Sequence, residues 1–178
     1  MDTTEHSQAV AEEFARVARL QLRQSFEKIE KAASRLDGGQ IWHRQQEAEN
    51  SIGNLLLHLA GNVRQWIISG VGGAPDMRHR DAEFAERDGA GLAELLAHLK
   101  QTLEEADGVL ARVNAKDLMI EKHIQVYDVT VMHAIFHVVE HFGQHTGQIL
   151  WAVKRMTGED LGFFTHLSPG GSGGEGRP

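Results

Sequence analysis

The spacing of apolar side chains divides most of the chain into four amphipathic segments. The first runs from Thr4 to about Leu36, contains no glycine or proline, and repeats apolar residues every three or four positions. Its apolar positions are Val10, Phe14, Val17, Leu22, Phe26, Ile29, Ala33 and Leu36. Two glycines follow Asp37, and glycine readily takes the left-handed conformation at which helices end. We therefore predict a long first helix that ends near Leu36.

Three further segments show the same helical repeat. The second begins at a cap on Asn50 or Ser51 and runs to about Ser69. The third covers about Gly91 to Val113. The fourth is predicted to be capped by Asp128 and to end near Met156. The third has the clearest stripe: Leu92, Leu95, Leu96, Leu99, Leu103, Ala106, Leu110 and Val113. All four helices are expected to exceed about 15 residues, long enough to span a bundle.

Four long amphipathic helices predict an all-α protein, and more narrowly a four-helix bundle. The second and third helices are separated by about 20 residues that include Pro75, whereas roughly 2–8 residues usually join helices. A connection of that length need not reverse the chain, so we expect a long crossover between helices two and three. We predict one bundle domain over residues 1–167 and a flexible glycine-rich tail over residues 168–178.

Composition narrows the functional classes. Of 178 residues, 41% are hydrophobic and 24% charged, as in ordinary globular proteins. The net charge of −7 argues against a nucleic-acid partner, and no apolar run reaches the roughly 20 residues that cross a bilayer. The first ten residues have no apolar signal segment, so we expect a cytoplasmic protein. The absence of cysteine excludes disulfides and thiolate ligands, which leaves nitrogen and oxygen to hold any metal.

Four histidines stand four residues apart in the last predicted helix, at positions 133, 137, 141 and 145. Side chains four apart lie on one helical surface, so two neighbouring imidazoles can converge on one metal ion. Each step of four drifts by about 40° around the axis, so only an adjacent pair can bind together. The ladder therefore offers three pairs, and geometry alone does not choose among them.

A third ligand must come from another helix, and His58 is the candidate. It lies within the most apolar stretch of the second helix, where a histidine that only packs in the core is the competing interpretation. Facing helices in a bundle lie roughly 8–10 Å apart, a span that two imidazoles can bridge through an ion. Three histidines would leave one coordination position open, as in catalytic rather than structural sites.

Two segments carry a resemblance to a known family. Residues Asn50 to Asn62 read NSIGNLLLHLAGN, and His141 to Ile149 read HFGQHTGQI. Together they resemble the DinB-like superfamily, and within it an uncharacterised bacterial branch that shares the segments Gly61 to Trp66 and Arg78 to Phe84. The resemblance covers nearly the whole chain up to about Leu167.

The resemblance implies an up-down-down-up four-helix bundle, usually a homodimer, with one divalent metal ion. Carried over by position, the metal ligands would be His58, His141 and His145. His137 is the substitute if the register is misjudged by one turn, and His133 has no ligand counterpart. Zinc or nickel suits such a set of imidazoles best.

Characterised relatives in the superfamily include S-transferases that use low-molecular-weight bacterial thiols, and a maleylpyruvate isomerase; others are labelled metal-dependent hydrolases. The resemblance thus implies a metal-dependent hydrolase or thiol S-transferase that acts on a small molecule, with unknown substrate. The alternatives are a non-catalytic metal-binding or stress-induced interaction bundle, and a bundle whose histidines merely pack.

No catalytic residue can be assigned, but three polar side chains could assist the ligands. Asn62 lies one turn beyond His58 and could donate to a group bound at the metal. Glu140 and Gln148 flank the histidine pair and could orient its imidazoles. The connector residues Arg78, Arg80, Asp81 and Glu83 are expected to pair among themselves, and Trp42 and Trp66 to pack.

Overall fold

A computed structural model describes residues 2–165, which are mainly helical. The helices are α1 (Thr3–Ala33), α2 (Ile52–Val63), α3 (Arg80–Ala85), α4 (Leu92–Leu110) and α5 (Val131–Thr157). A small hairpin pairs β1 (Glu121–Ile124) with β2 (Tyr127–Thr130).

The all-α class predicted from sequence fits the described residues apart from the hairpin. The predicted tail over 168–178, and the boundary at 167, lie outside them. Within them, no helix is both long and apolar enough to cross a membrane.

The four longer helices enclose one hydrophobic core. α1 packs against α5 and α4, and α2 packs against α4 and α5. At one end of α1, Gln8 accepts a hydrogen bond from the Ala115 N–H, ahead of α5. At the other end, Arg35 forms an ion pair with Glu159, just after α5. The most deeply buried core side chains include Ile29, Leu56, Leu59, Leu99, Leu110, Ile135, Phe142 and Ile149.

The N-terminal half of α1 turns a different face to the core from the one predicted. Val10 is 51% exposed and Val17 is also exposed, whereas Ala11, Ala15 and Ala18 are buried. Alanine has a small side chain and lets a neighbouring helix approach closely, which the larger valines would prevent. The predicted stripe is therefore wrong at Val10 and Val17, whereas Phe14 packs against the core and the stripe is correct from Leu22 onwards.

Helix α2 begins at the Ser51 cap, one of the two predicted positions. The Ser51 hydroxyl accepts a hydrogen bond from the Asn54 N–H, and the Asn54 side-chain oxygen accepts one from the Ser51 N–H. The other end of the Asn54 carboxamide donates to the backbone carbonyls of Glu83 and Glu86, at 2.9 Å each. One buried asparagine thus completes the capping box of α2 and fixes α3 against it. Beyond Val63 the helix widens into a π-helical segment, Arg64–Val71.

The hairpin lies between α4 and α5, where the sequence pattern predicted no strand. Ile124 of β1 packs against the π-helical segment, where a Cβ on Gly70 would lie 2.4 Å from its Cδ1 atom. The first residue of the tight turn, Gln125, has a φ of 60°, in the left-handed region that non-glycine residues rarely adopt.

Helix α5 begins later than predicted, because its cap is Thr130 and not Asp128. The Thr130 hydroxyl accepts a hydrogen bond from the His133 N–H at 3.2 Å. Asp128 lies within β2, and its carboxylate contacts His123 on the paired strand. The strand extends through Thr130, so a cap two residues earlier is excluded.

Candidate metal centre

Three imidazoles from two helices meet at one point in the fold. His58 comes from α2, and His141 and His145 lie one turn apart on α5. One ring nitrogen from each histidine lies within 4.8 Å of the other two. The Nε2 atoms of His58 and His141 are 2.9 Å apart. Two nitrogen ligands of a tetrahedral zinc ion, at about 2.0–2.1 Å from it, stand about 3.3 Å apart. The three nitrogens are therefore close enough to share one metal ion, with donor chemistry that suits it.

The other two histidines of the ladder lie outside the cluster. His137 packs on the indole of Trp66, with ring centroids 4.1 Å apart, and stacks on His141 from the far side. His133 lies at the wall of an adjoining cleft. The structure thus brings together His58, His141 and His145, the set chosen from the resemblance. Their binding of a metal stays a prediction.

The two cluster histidines on α5, His141 and His145, are neutral at neutral pH. Burial, assisted by the nearby imidazoles of His145 and His58, lowers the pKa of His141 to about 3. Burial also lowers the pKa of His145, against a hydrogen bond with Gln148 that acts in the opposite direction. A neutral imidazole has a free lone pair on one nitrogen, which is the form that binds metal ions.

A carboxylate fixes the orientation of His58. The Oε2 atom of Glu83 lies 3.0 Å from His58 Nδ1. When this nitrogen carries the proton and donates to Glu83, the lone pair on Nε2 points at the other two imidazoles. Arg78 holds the carboxylate with two hydrogen bonds, from Nε at 2.7 Å and Nη2 at 2.8 Å. Arg78 Nη2 also lies 3.1 Å from His58 Nδ1. Because a guanidinium group only donates, this contact is a hydrogen bond only in the other tautomer, in which Nδ1 carries no proton.

The pair formed by Glu83 and Arg78 is nearly shielded from solvent. Burial alone would raise the pKa of the Glu83 carboxyl, but hydrogen bonds from Arg78 and His58 outweigh it and lower that pKa. Glu83 is therefore ionised at neutral pH and accepts from the imidazole. The internal pairing predicted for the connector is confirmed for these two residues, but its contact with His58 was missed.

A glycine makes room for this carboxylate. Gly61 lies three residues after His58, on the same side of α2. A Cβ at this position would lie 2.0 Å from Glu83 Oε1 and 2.9 Å from Arg78 Nε. Together with Asn54, which anchors α3, Gly61 explains how the Glu83 carboxylate reaches the His58 imidazole. In the sequence, the only signal was the motif Arg78 to Phe84, which carried no indication of its partner.

The three predicted assisting residues have different surroundings. Gln148 Oε1 lies 2.7 Å from His145 Nδ1 and accepts a hydrogen bond from it; its role beside a metal ion stays a prediction. Asn62 is buried beside His58 and has no hydrogen-bond partner for its carboxamide among residues 2–165. Glu140 is exposed and accepts a hydrogen bond from Gln144; within the described residues it bonds to none of the three imidazoles.

A cleft of about 410 Å³ adjoins the cluster and reaches His58 and His141. Its walls come from α2, the π-helical segment, α5, the segment around Arg78 and Arg80, and the hairpin. The indole of Trp66 lies in this wall between His137 and Tyr127, and its Nε1 atom is buried without a partner in the described part of the chain. The cleft gives a small molecule access to one side of the cluster.

The comparisons with known proteins support the fold. A crystal structure described as "the conserved protein of locus from Enterococcus faecalis" superposes with a TM-score of 0.66 at 14% identity. The match covers 81% of this chain and 97% of that one, and at this identity it supports the fold alone. None of the curated proteins matches the sequence. The model of one family, DUF1572, described as a protein of unknown function, matches residues 9–168. This protein therefore belongs to the DUF1572 family.

Proposed function

We propose that this protein binds one divalent metal ion through His58, His141 and His145 and is a metal-dependent enzyme. The observation that carries the proposal is the convergence of these imidazoles, from two helices, beside a cleft that a small molecule can enter. Zinc or nickel is the expected metal. In a site with an open position, such an ion activates a water or thiol, or polarises a carbonyl.

The protein's own residues prepare the site for this task. Glu83 and Gln148 each bond the Nδ1 atom of one histidine, which leaves the Nε2 lone pairs of His58 and His145 directed inward. Arg78 holds the Glu83 carboxylate in place. The cluster is thus organised in advance, and little conformational entropy is lost on binding.

The reaction class we propose is hydrolysis or thiol S-transfer, on the basis of the resemblance to the DinB-like superfamily. The same resemblance supports an up-down-down-up four-helix bundle, in which the first and last helices run parallel. The contacts at the two ends of α1 agree with that arrangement, because they tie its start and its end to segments before and after α5. The alternative, a non-catalytic metal-binding bundle, would leave the adjoining cleft without a role.

Metal analysis of protein purified without a histidine tag tests the proposal. We expect one zinc or nickel ion per chain, lost in His141→Ala and His145→Ala variants. His133→Ala is the matched control on the same helix and should keep the metal. Absence of stoichiometric metal in wild-type protein after zinc and nickel titration would refute the proposal. Screens for ester hydrolysis and thiol conjugation with the loaded protein then separate an enzyme from a binder.

We also propose that the protein forms a homodimer through the outer face of α5. Phe136 on this face is 60% exposed and Met132 is also exposed, while Gly143 and Gly147 leave open space between the larger side chains. A second copy of the same face would bury these side chains. Light scattering should give twice the chain mass for wild type and a monomer for Phe136→Ser. A wild-type monomer at micromolar concentration would contradict this proposal.

A further inference from the structure

We propose that the cleft beside the three histidines binds a small molecule with one carboxylate group and a planar apolar body. Arg80 would pair with the carboxylate, and Asn62 would hydrogen-bond an adjoining polar group. That this molecule is also the substrate of the centre rests on the proposed function. Its binding in the cleft rests only on the residues described below.

The charge of the cleft comes from Arg80. Its guanidinium lies over the ring of Phe84, 4.9 Å from the ring centroid, and that ring lies 4.7 Å from the ring of His58. The other arginine of the cleft, Arg78, is neutralised by Glu83. No carboxylate of residues 2–165 lies within salt-bridge distance of Arg80. One uncompensated positive charge matches a singly charged anion, which favours a carboxylate over a doubly charged phosphate.

Two polar side chains of the cleft wall make no side-chain hydrogen bond within the described chain, and one of them, Trp66, has its polar atom fully buried. Asn62 is 4% exposed, and its carboxamide has both a donor and an acceptor to satisfy. Trp66 is 3% exposed, and its Nε1 hydrogen is unbonded. Buried polar groups are nearly always hydrogen-bonded in folded proteins, and leaving them unpaired is costly. A ligand with oxygen acceptors in the cleft would hydrogen-bond the Asn62 carboxamide and pack against the Trp66 ring.

The aromatic side chains in the wall of the cleft favour a planar body. Trp66 and Tyr127 place two aromatic rings in its wall, 6.3 Å apart between centroids, and Val129 adds an apolar side chain. The hairpin that carries Tyr127 turns at Gln125, whose side chain donates to Gln65. This bond holds the left-handed residue in place and fixes the hairpin over the cleft. A volume of about 410 Å³ suits a small aromatic or unsaturated acid.

Nuclear magnetic resonance of the indole N–H groups tests the inference with benzoate as the probe. The chain has three tryptophans, so three indole signals are expected, and a Trp66→Phe variant assigns the relevant one. Benzoate should shift this signal with saturation, whereas neutral benzamide should bind at least about tenfold more weakly. Arg80→Gln should weaken benzoate binding about tenfold. Arg16→Gln, on the exposed face of α1, is the matched control and should have no effect.

The inference is overturned if benzoate causes no saturable shift at millimolar concentration, if benzamide binds equally well, or if Arg80→Gln leaves benzoate binding unchanged. Inorganic phosphate that binds more tightly than benzoate would also overturn it, in favour of a general oxyanion site. Metal-free and zinc-titrated protein are both measured. Benzoate binding without stoichiometric zinc would refute only the proposed function. Zinc binding without benzoate binding would refute only this inference.

Discussion

Glu83 Oε2 lies 3.0 Å from His58 Nδ1, although the two residues are 25 positions apart and belong to different helices. This contact couples the short helix α3 to the three-histidine cluster, because the position of the carboxylate sets which nitrogen of His58 carries the proton. The connector between α2 and α4 is therefore part of the site.

The first prediction concerns the Glu83 carboxylate. Glu83→Gln removes the negative charge that favours a proton on Nδ1, so metal affinity should fall about 10–100-fold. Competition with a zinc chelator measures the change. Asp81→Asn, an exposed position of the same helix, is the matched control and should keep wild-type affinity. Equal affinities for wild type and Glu83→Gln would show that the carboxylate does not support His58.

The second prediction concerns Gly61. A Cβ there meets the ends of the Glu83 and Arg78 side chains, which can move away, so Gly61→Ala should fold but displace the carboxylate. We expect a loss of metal affinity similar to that of Glu83→Gln, measured by the same competition. Gly108→Ala in α4, where the added Cβ meets only the end of Arg112 at 3.8 Å, should keep its affinity and gain about 0.5–1 kcal/mol of stability. Unchanged affinity in Gly61→Ala would contradict the crowding.

The third prediction separates a cap from an anchor. Asn54→Ala removes the hydrogen bond from the Ser51 N–H to the Asn54 side chain together with two hydrogen bonds to α3, so the free energy of unfolding should fall by about 2–4 kcal/mol. Metal affinity should fall as well, because α3 carries Glu83. Thr130→Ala removes only the cap of α5 and should cost about 1 kcal/mol. Urea unfolding and zinc titration measure both variants. Wild-type affinity in Asn54→Ala would contradict the anchoring role.

The fourth prediction is a pH dependence of the metal-free protein. The pKa of His141 is about 3 in the folded protein against 6.5 ordinarily, so the unfolded chain binds a proton that the folded chain does not. Stability should therefore fall as the pH drops below 6.5. Glu83, whose pKa is lowered, acts in the same direction only below its ordinary value of 4.5. Urea unfolding between these two values measures the histidines, and His141→Gln should flatten the slope.

The fifth prediction is stabilisation by metal. An ion that binds only the folded chain raises the free energy of unfolding by about 2.7 kcal/mol when its free concentration is 100 times its dissociation constant. Thermal unfolding should shift upward with zinc and return after treatment with a chelator. His145→Ala should abolish the shift, whereas His133→Ala should keep it. A shift of equal size in both variants would point to binding elsewhere.

The helical periodicity of the sequence predicted most of the helices, because long amphipathic helices repeat their apolar residues over many turns. It failed where the pattern was short or ambiguous: the strands around Gln125 have four residues each, too few for a clear alternation. In α1, larger apolar residues such as Val10 outweighed alanines that in fact face the core.

The candidate site was accessible from sequence only in part. The ladder left three histidine pairs open, and the resemblance selected His141 and His145. What distinguishes His137 in the structure is its packing on Trp66. The contact between Glu83 and His58 could not be predicted, because it depends on where Asn54 holds α3. That is a tertiary contact, and it leaves no repeating pattern in the sequence.

The π-helical segment has a further consequence for the length of the chain. Each π-type turn takes up one more residue than an α-helical turn, so residues beyond Arg64–Val71 are rotated relative to a continuous α-helix. A deletion of one residue that kept the widened turns would move each following residue by one step around the axis, roughly 80–100°. Gly70 would then leave its place under Ile124, and the hairpin would lose this packing contact. We therefore expect the chain between His58 and Gly70 to tolerate a change of length only where the wide turns can absorb it.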